Sequence, residues 1–323
     1  MAEITIVYVN YHSVEELKRS LKSVTQFTTT AYEVIVINNA PEDDLSALSD
    51  YHKDLQIIEP KDNLGFGKAC NLGIKASKTP YILLLNPDTY LIEDSISIGL
   101  NAYKALNQSV TGVLSCKHMY ENGSFQYSCF ERSELPVFPF FRIPWKRAVK
   151  DSKQYYNDSK AVIDEHSTSH YTYAVHGSFM LGPRQLMEEE PFDEDFFLYS
   201  EELDLCRRLQ QKQRSAYYLS ETTIAHSSHR AVENMAIRNQ MYLSSALLVL
   251  KYYGKIGYSF YYLQRVLRAL FLMASLPLMP RRVAEKIKAH LKDSRPLSGD
   301  YLKIFKYSRG LKTHVPLKSS SIE

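Results

Sequence analysis

The sequence predicts an α/β fold built on a mostly parallel sheet, and three features of the first hundred residues lead to that prediction. Short apolar runs rich in Val, Ile and Leu alternate with stretches of helical character. The runs are apolar at nearly every position, which is typical of strands buried on both faces. Loops that contain Asn, Pro and Gly separate them. This alternation indicates βαβ units, whose helices cover both faces of the sheet.

The elements are expected in a regular order. The first four strands are predicted at Ile4–Val9, Glu33–Asn38, Leu55–Glu59 and Tyr81–Leu85. The first helix is predicted from Ser13 to about Phe27, with Ser13 as its cap and Glu16 in the capping-box position. Two further helices are predicted at Asp43–His52 and Gly65–Ser77. Later elements are predicted as a strand at Val110–Cys116, a hairpin turn at Glu121–Ser124, strand-like structure at Tyr171–Leu181, a helix at Glu201–Lys212 and long helices after His229.

The length and the charge distribution predict three parts. We expect a first half-domain at residues 1–105, a second at 106–230 and a helical, basic extension at 231–323. The net charge of the chain is only +3, but residues 281–323 contain eleven Lys/Arg against four Asp/Glu, a net charge of +7. Such a segment suits an anionic surface, either membrane phospholipid or nucleic acid.

The cysteines and the apolar runs predict a cytoplasmic chain that does not span a membrane. The four cysteines show no CxxC spacing, so neither a zinc site nor a disulfide framework is indicated. The N-terminus opens on a strand-like run, which argues against a signal peptide. The longest apolar run, Ala269–Met279, is about half of what a bilayer requires.

Polar residues follow the predicted strands. In open parallel sheets, ligands bind beyond the carboxyl ends of the strands. The candidates at these ends are Asn10, Asn38, Asn63, Asn86 and Asp88. A carboxylate after a buried strand is costly unless it binds a cation, and Mg²⁺ often needs only one or two carboxylates beside substrate phosphates. The alternative for Asn86-Pro-Asp88 is a plain β-turn, for which these residues are well suited.

A glycine-containing segment opens the third predicted helix. Gly65 and Gly67 would let backbone N–H groups approach a phosphate or a ribose. A loop-to-helix junction also uses glycine for structure alone. The spacing matches neither a Walker motif nor GxGxxG.

A cluster of carboxyls opens the helix at Glu201. Glu201, Asp204 and Arg208 share one helical face and Glu202 lies beside it, so one carboxylate could act as a general base. The alternative is a solvated acidic first turn, favoured by the helix dipole. Among the histidines, His226 follows an apolar stretch and is a candidate metal or diphosphate ligand, whereas a structural role is the alternative. His176 and His229 are further candidates.

Taken together, these segments resemble family 2 glycosyltransferases of the GT-A fold, especially the rhamnosyltransferase-like branch that builds bacterial surface polysaccharides. The resemblance covers roughly Ile4–Tyr253. The matching segments are Val7–Tyr11 (VYVNY), Ile35–Ala40 (IVINNA), Asn63–Gly67 (NLGFG) with Asn71, Leu84–Asp88 (LLNPD), Gly177–Met180 (GSFM) with Arg184, and Phe192–Arg208 (FDEDFFLYSEELDLCRR) followed by His226.

The resemblance implies an activity. The chain would be an inverting hexosyltransferase that moves a sugar, with rhamnose as the sugar suggested, from a dTDP- or UDP-linked donor. The acceptor would be a polyprenyl-diphosphate-linked glycan of O-antigen or capsule-like synthesis. The enzyme would be peripheral on the cytoplasmic face of the inner membrane.

The resemblance also implies residue roles. Asp88 would ligate Mg²⁺ or Mn²⁺, with His226 near the metal. Glu202 would be the catalytic base, with Glu201 and Asp204 as fallbacks. The donor would be bound by Asn10, Asn38, Asn63, Gly65, Asn71, Asn86 and Arg208.

Two departures from the family pattern leave alternatives open. Asn38-Asn39 stands where the family usually has Asp-Asn, which leaves the donor base open. Glu201-Glu202 stands where the family has Glu-Asp, and the extra methylene moves a carboxylate by about one bond length, enough to matter for catalysis. A catalytically inactive nucleotide-sugar-binding or assembly protein is therefore the alternative. A nucleotidyltransferase would need a more basic loop after the first strand.

The C-terminal region combines aromatic and basic residues. Ile256–Leu291 contains five aromatics and four arginines, a composition that suits a helix in the membrane interface. Helices packed on the catalytic domain are the alternative. Nucleic acid is not expected as a partner, because the positive charge is confined to the tail and no binding motif accompanies it.

Overall fold

The computed structural model describes residues 1–52, 55–130, 166–227 and 235–278, together with 281, 284 and 285. They divide into two units. The first contains residues 1–52, 55–130, 166–194 and 201–227, and the second contains 195–200 and those from 235 onwards. The three-part division stays a prediction, since its boundary at 230 lies outside the described residues. His229 and most of the basic tail also lie outside them. So does Pro136–Trp145, a stretch rich in Pro and Phe whose composition predicts a loop on the acceptor side.

A ten-stranded mixed sheet forms the centre of the first unit. Its path runs in the order β3-β2-β1-β4-β11-β6-β12-β5, with β7 paired to β6 and β9 paired to β12. The strands are β1 (Ile4–Asn10), β2 (Tyr32–Asn38), β3 (Leu55–Ile58), β4 (Tyr81–Leu85), β5 (Thr89–Leu91), β6 (Thr111–Met119), β7 (Phe125–Gln126), β9 (His170–Thr172), β11 (Phe179–Pro183) and β12 (Ser215–His226). A separate two-stranded sheet joins β8 (Cys129–Phe130) to β10 (Ala174–Val175).

Most of the sheet is parallel. The strands β3, β2, β1 and β4 run parallel, as do β6 and β12, whereas β11 is antiparallel to both of its neighbours, β4 and β6. The helices are α1 (Val14–Phe27), α2 (Phe66–Ala76), α3 (Ser95–Ala105), α4 (Arg184–Glu189), α5 (Glu201–Gln211) and α6 (Met235–Ser275). The α/β fold class with a mostly parallel sheet is therefore confirmed.

Both faces of the sheet are buried. Ile4, Ile6 and Tyr8 of β1 point to the face covered by α1 and α3, and Val7 points to the face covered by α2 and α5. The same alternation continues in β2 and β4, which explains why the strands read as continuous apolar runs. Helix α2 packs very closely on β1, since a Cβ added to Gly73 would lie 2.3 Å from Val7 Cγ1.

The first four predicted strands are confirmed, but two local predictions near them are wrong. Ser13 precedes α1 without a side-chain capping bond, because its hydroxyl donates to the Tyr11 carbonyl oxygen instead. The helix predicted at Asp43–His52 is only a short 3-10 helix at Ser46–Asp50. The carboxylate of Asp44 accepts the Ser46 N–H, and such side-chain bonds compete with helix formation.

The later predictions are confirmed in outline. Tyr120 N–H donates to Ser124 O in a hairpin turn where Gly123 has φ +78°, and the helix predicted at Glu201 is α5. The strand-like region 171–181 is three strands rather than one. Each has different partners, since β9 pairs with β12, β10 with β8, and β11 with β4 and β6.

The second unit is a helical hairpin. Helix α6 is interrupted at Gly254, which has φ +64°. Its two halves pack against each other through an apolar cluster, and the Arg265 guanidinium carbon lies 4.0 Å from the ring centroid of Tyr242. The cluster contains Leu243, Ala246, Val249, Leu250, Tyr258 and Tyr261. The long helices expected after His229 are thus one hairpin over the part that is described.

Two predictions from composition can be checked on this fold. All four cysteines are free and buried, as expected. Among the described residues, none of the helices has the length and apolarity needed to cross a membrane.

Candidate active site

A turn after β4 carries Asp88 at the carboxyl edge of the sheet. Thr89 N–H donates to the Asn86 carbonyl oxygen at 3.0 Å, so Asn86-Pro-Asp88 does form a β-turn. Asn86 N–H donates to Ser178 O, and Ser227 N–H donates to Asp88 O, so both neighbouring strands hold this turn. The side chain of Asp88 remains 35% exposed, and its Oδ1 lies 3.3 Å from Nε2 of His226. The turn and the exposed carboxylate are therefore compatible.

The Asp88–His226 pair fits a divalent cation. His226 Nδ1 lies 3.2 Å from Gln126 Oε1, and an Nδ1–H that donates to this oxygen leaves a lone pair on Nε2, facing Asp88 Oδ1. Two such acceptors require a cation or a proton between them. Bonds of about 2.1 Å in octahedral coordination place adjacent ligands about 3.0 Å apart, close to the observed separation. Within the described ranges, no set of three or more His, Cys, Asp or Glu forms a metal site.

Gln126 was not predicted as a site residue, and its contact leads to a testable prediction. Residues that orient the far nitrogen of a metal-bound histidine typically contribute 10–100-fold to metal affinity. We expect Gln126→Leu to weaken Mn²⁺ binding by roughly tenfold, as measured by calorimetry on the purified chain. Gln185→Leu, at an exposed position on α4, is the matched control. Unchanged Mn²⁺ affinity in Gln126→Leu would contradict the orienting role.

Two further histidines lie near this pair. The His118 and His226 rings are 5.9 Å apart between centroids, and His118 Nε2 hydrogen-bonds Ser178 Oγ at 2.8 Å. Burial, followed by the proximity of His226, lowers the pKa of His118 well below its ordinary value and lowers the pKa of His176 to about 4. Both are neutral at pH 7. His118 was not predicted as a site residue, because it lies two residues beyond the strand predicted at Val110–Cys116.

The two asparagines that end β1 and β2 bond each other. Asn10 Nδ2 donates to Asn38 Oδ1 at 3.0 Å and to Asp43 Oδ2 at 2.8 Å, and both asparagine side chains are fully buried. Asp43 also accepts the backbone N–H of His12. Contact of Asn10 and Asn38 with a base stays a prediction, and it would require these bonds to rearrange. The exposed groups at this edge include Tyr11, His12 and, in part, Asp43, which was predicted to lie in a helix.

The glycine segment is held by side chains of neighbouring loops. Asn63 Oδ1 accepts the Gly65 N–H at 2.9 Å, and Asn39 Nδ2 donates to the Gly65 carbonyl oxygen. Gly65 has φ +80°, a conformation that favours glycine, and it directly precedes α2. The first turn of α2 is therefore fixed at the sheet edge, where its free N–H groups could face an anion.

Asn71 holds the segment that leads into α5. Its Nδ2 donates to Phe192 O at 2.9 Å, while its Oδ1 accepts Phe192 N–H at 2.9 Å. Nδ2 also lies 3.3 Å from a carboxylate oxygen of Glu194. The observed hydrogen bonds show that Asn71 anchors the backbone at Phe192. Its predicted binding of the nucleotide-sugar donor stays a prediction.

The carboxyls of α5 occupy three different environments. Asp204 is fully buried and accepts from Arg208 Nε at 2.9 Å, and Arg208 also donates to Glu190 and to the Pro191 carbonyl oxygen. Glu201 is 3% exposed, whereas Glu202 is only partly buried. Among the predicted catalytic carboxyls, Glu202 is therefore the one whose side chain is partly exposed to solvent. Three of the five N–H groups of Arg208 donate hydrogen bonds in this network. Its predicted contact with the nucleotide-sugar donor would therefore use the remaining two.

Burial raises the pKa of both glutamates. The pKa of Glu201 is raised well above its ordinary value, first by burial and then by the neighbouring Glu202 carboxylate. Its Oε2 is buried and has no hydrogen-bond partner among the residues that the structure describes. Burial also raises the pKa of Glu202. When Glu201 keeps its proton and the adjacent Glu202 can ionise, one acid of the pair is available as a general base.

The raised pKa of Glu201 predicts a pH-dependent stability effect. A raised pKa in the folded state means that Glu201 contributes stability below its unfolded pKa and loses it as the pH rises. The melting temperature of Glu201→Gln relative to the wild type should therefore increase between pH 5 and about pH 8. Thermal denaturation over that pH range measures it, with the exposed Glu15→Gln as control. A difference that is constant or that decreases with pH would contradict the raised pKa.

The Asp88 turn and the start of α5 are linked through the first turn of α2. Gly177, next to Ser178, would bring an added Cβ to 3.3 Å from the Phe66 ring. The neighbouring Gly67 would place a Cβ 3.6 Å from Glu201 Cβ. Asp88, α2 and α5 thus meet at one edge of the sheet, as ligand binding beyond the carboxyl ends requires.

A comparison with protein-family models identifies the family of the chain that forms this site. Residues 5–169, just over half of the chain, match the model of Glycosyl transferase family 2. The chain belongs to glycosyl transferase family 2. The matched range contains the glycine segment and the Asp88 turn, so two of the three parts of the candidate site fall inside it.

Curated relatives of this glycosyl transferase are distant. A teichoic acid poly(glycerol phosphate) polymerase of Staphylococcus epidermidis is 24% identical over 43% of this chain and 19% of its own length. The low-salt glycan biosynthesis hexosyltransferase Agl10 of Haloferax volcanii is 24% identical over 65% of this chain and 62% of its own length. The chain thus spans about a fifth of the first relative and under two thirds of the second.

Solved structures resemble the fold of this glycosyl transferase. A mannosyltransferase from Pyrobaculum calidifontis, in complex with GDP-mannose and Mn²⁺, matches with a TM-score of 0.55 and 14% identity over 95% of this chain and 82% of its own. GalNAc-T7 with UDP, GalNAc and Mn²⁺ matches with a TM-score of 0.57 and 12% identity over 90% and 55%. The GT-A fold class is thereby confirmed, while the rhamnosyltransferase branch finds no support in these names.

Proposed function

We propose that this glycosyl transferase moves a sugar from a nucleotide-diphosphate donor to a glycan acceptor with inversion at the anomeric carbon. The observation that carries the proposal is the partly exposed Asp88 carboxylate, 3.3 Å from His226 Nε2, at the same sheet edge as Glu202. A diphosphate needs a cation, and an acceptor hydroxyl needs a base. The two candidate groups for these tasks open onto one edge.

The donor side depends on Asp88 and the start of α2. Asp88 and His226 are the residues that would hold Mg²⁺ or Mn²⁺, and a bound ion would neutralise the leaving diphosphate. Mn²⁺ in the two fold neighbours, each with a nucleotide or nucleotide sugar, supports a divalent ion. Asn63, Gly65 and Asn86 would face the nucleotide, either directly or through the backbone they hold.

Glu202 would take the acceptor proton. As the acceptor oxygen bonds to the anomeric carbon, the bond from that carbon to the diphosphate oxygen breaks, and the hydroxyl proton passes to Glu202. Glu201 would remain protonated, which leaves the negative charge of the pair on Glu202. Asp204, held by Arg208, would orient the first turn of α5.

The finer identity of the reaction rests on the sequence resemblance. Rhamnose from a dTDP- or UDP-linked donor is the first sugar to test, and a polyprenyl-diphosphate-linked glycan is the first acceptor. The hexosyltransferase relative supports a role in glycan assembly. A lipid-linked acceptor would require work at a membrane surface.

Metal-dependent thermal stabilisation by nucleotide sugars tests the donor. A ligand at one hundred times its dissociation constant adds about 2.7 kcal/mol to the free energy of unfolding, so a true donor should raise the melting temperature by several degrees. The rise should need both the nucleotide sugar and Mn²⁺. No stabilisation by any dTDP-, UDP- or GDP-linked sugar would refute a nucleotide-sugar site.

A catalytically inactive binding or assembly protein is the second candidate, favoured by Glu201-Glu202 in place of Glu-Asp. It would show the same donor stabilisation as an enzyme. It would show neither transfer nor donor hydrolysis, and Glu202→Gln would have no rate to lose.

A further inference from the structure

The second half of α6 exposes a continuous apolar face. Its six members are each between 46% and 88% exposed. They are Ile256, Leu263, Leu267, Leu270, Phe271 and Met273. At 100° per residue they occupy about 160° of the helix circumference. We call these six residues the apolar face.

This half-helix carries apolar residues on its outer side as well as its inner side, unlike an ordinary surface helix. Tyr258 and Tyr261 on its other side are buried against the first half of α6. Arg265 is also on that inner side, with its guanidinium over the Tyr242 ring and an Nη1–H bond to Tyr261 OH at 3.3 Å. A charge therefore packs inside while leucines face outward, and an apolar patch of this kind marks an interaction surface.

We propose that the apolar face docks the protein on an anionic phospholipid surface, with the helix axis in the plane of the membrane. Charge identifies the occupant. The chain that follows the face has a net charge of +7 over residues 281–323, and Lys255 precedes most of it. An apolar face bordered by basic residues is the pattern of an interfacial helix, whose leucines enter the acyl boundary while cations meet the headgroups.

The geometry favours lying on the membrane over crossing it. Residues 255–275 span about 31 Å as a helix, but one side of this helix carries tyrosines and an arginine that pack on the same chain. Among the described side chains of this half-helix, the exposed apolar ones lie on the other side. This inference rests on the membrane-surface part of the proposed function and is independent of the transfer chemistry.

Flotation of the full chain with vesicles tests the proposal. The chain should float with vesicles of phosphatidylglycerol and phosphatidylcholine, and more weakly with phosphatidylcholine alone. Leu263→Gln/Leu270→Gln should lower the partition coefficient about tenfold or more, because each leucine would otherwise leave water. Ile92→Gln/Val110→Gln removes two apolar side chains of comparable exposure from the other unit and should change nothing.

Several outcomes would overturn the proposal. The first two are flotation of the Leu263→Gln/Leu270→Gln variant equal to that of the wild type, and no binding of the wild type to anionic vesicles. The other two are a wild-type dimer, seen by light scattering, that this variant dissociates, and a lower melting temperature of the variant when the wild type does not bind vesicles. The last two would mean that a second copy or this chain itself covers the face. Sugar transfer to a water-soluble acceptor without vesicles should be unchanged in the variant. A wild type that floats but transfers no sugar would refute the proposed function and leave the docking face intact.

Discussion

Glu202→Gln should lower kcat for sugar transfer by about 10³-fold, because an amide cannot accept the proton of the acceptor hydroxyl. Donor affinity, measured by metal-dependent thermal stabilisation, should change by less than about threefold, since the loss is confined to the chemical step. In the wild type, kcat/KM should fall as the pH drops through the pKa of Glu202. Burial raises that pKa, so the fall should begin above the ordinary glutamate value of 4.5.

The control for this variant is another first-turn glutamate. Glu15→Gln, at the exposed start of α1, should keep full activity. Glu201→Gln tells the two acids of α5 apart. If Glu201→Gln loses the rate and Glu202→Gln keeps it, the roles of the two acids are reversed. If both keep it, the base lies elsewhere.

Asp88→Asn should abolish metal-dependent donor binding. An amide oxygen carries no net charge, so the site loses the Asp88 carboxylate and the charge that offsets the cation. We expect kcat/KM to fall by at least about 10²-fold, and the stabilisation by nucleotide sugar to become independent of Mn²⁺. Chelation of the metal in the wild type should reproduce the same loss.

Comparison of the variant with the chelated wild type makes this test specific. Asp50→Asn removes a carboxylate from the exposed end of the 3-10 helix Ser46–Asp50 and should behave as the wild type. Retention of Mn²⁺-dependent donor binding by Asp88→Asn would exclude Asp88 as the metal ligand. Because Asp88 is partly exposed, the substitution should not lower the melting temperature of the free protein.

The pattern of apolar residues in the sequence was sufficient to predict the strands of the parallel half of the sheet. Strands buried on both faces are apolar at nearly every position, so β1, β2 and β4 were visible as apolar runs. The edge strand β3 is only partly buried and carries the exposed Gln56. The pattern failed where side chains compete with the backbone. Asp43 was assigned to a helix, but its carboxylate is bonded to Asn10 and His12. Region 171–181 was read as one strand, because its three pairing partners are distant in sequence.

The candidate site divides in the same way. The order of the motifs in the sequence predicted that Asp88, His226 and Glu202 belong to one site, because residues after parallel strands share an edge of the sheet. It could not rank the three carboxyls of α5. Glu201 and Asp204 are buried and Glu202 is partly open, and that difference arises from packing against α2 and from Arg208.

By itself, the sequence determined the fold class, the order of the buried strands and the edge at which polar groups collect, because strand period and chain order are local properties. Only the tertiary structure decided what each polar group does at that edge. It paired Asn10 with Asn38, oriented His226 through Gln126, and turned the leucines of α6 outward with Arg265 inside. Burial and hydrogen-bond partners depend on residues far apart in the chain, and these set the ionisation and the reach of each side chain.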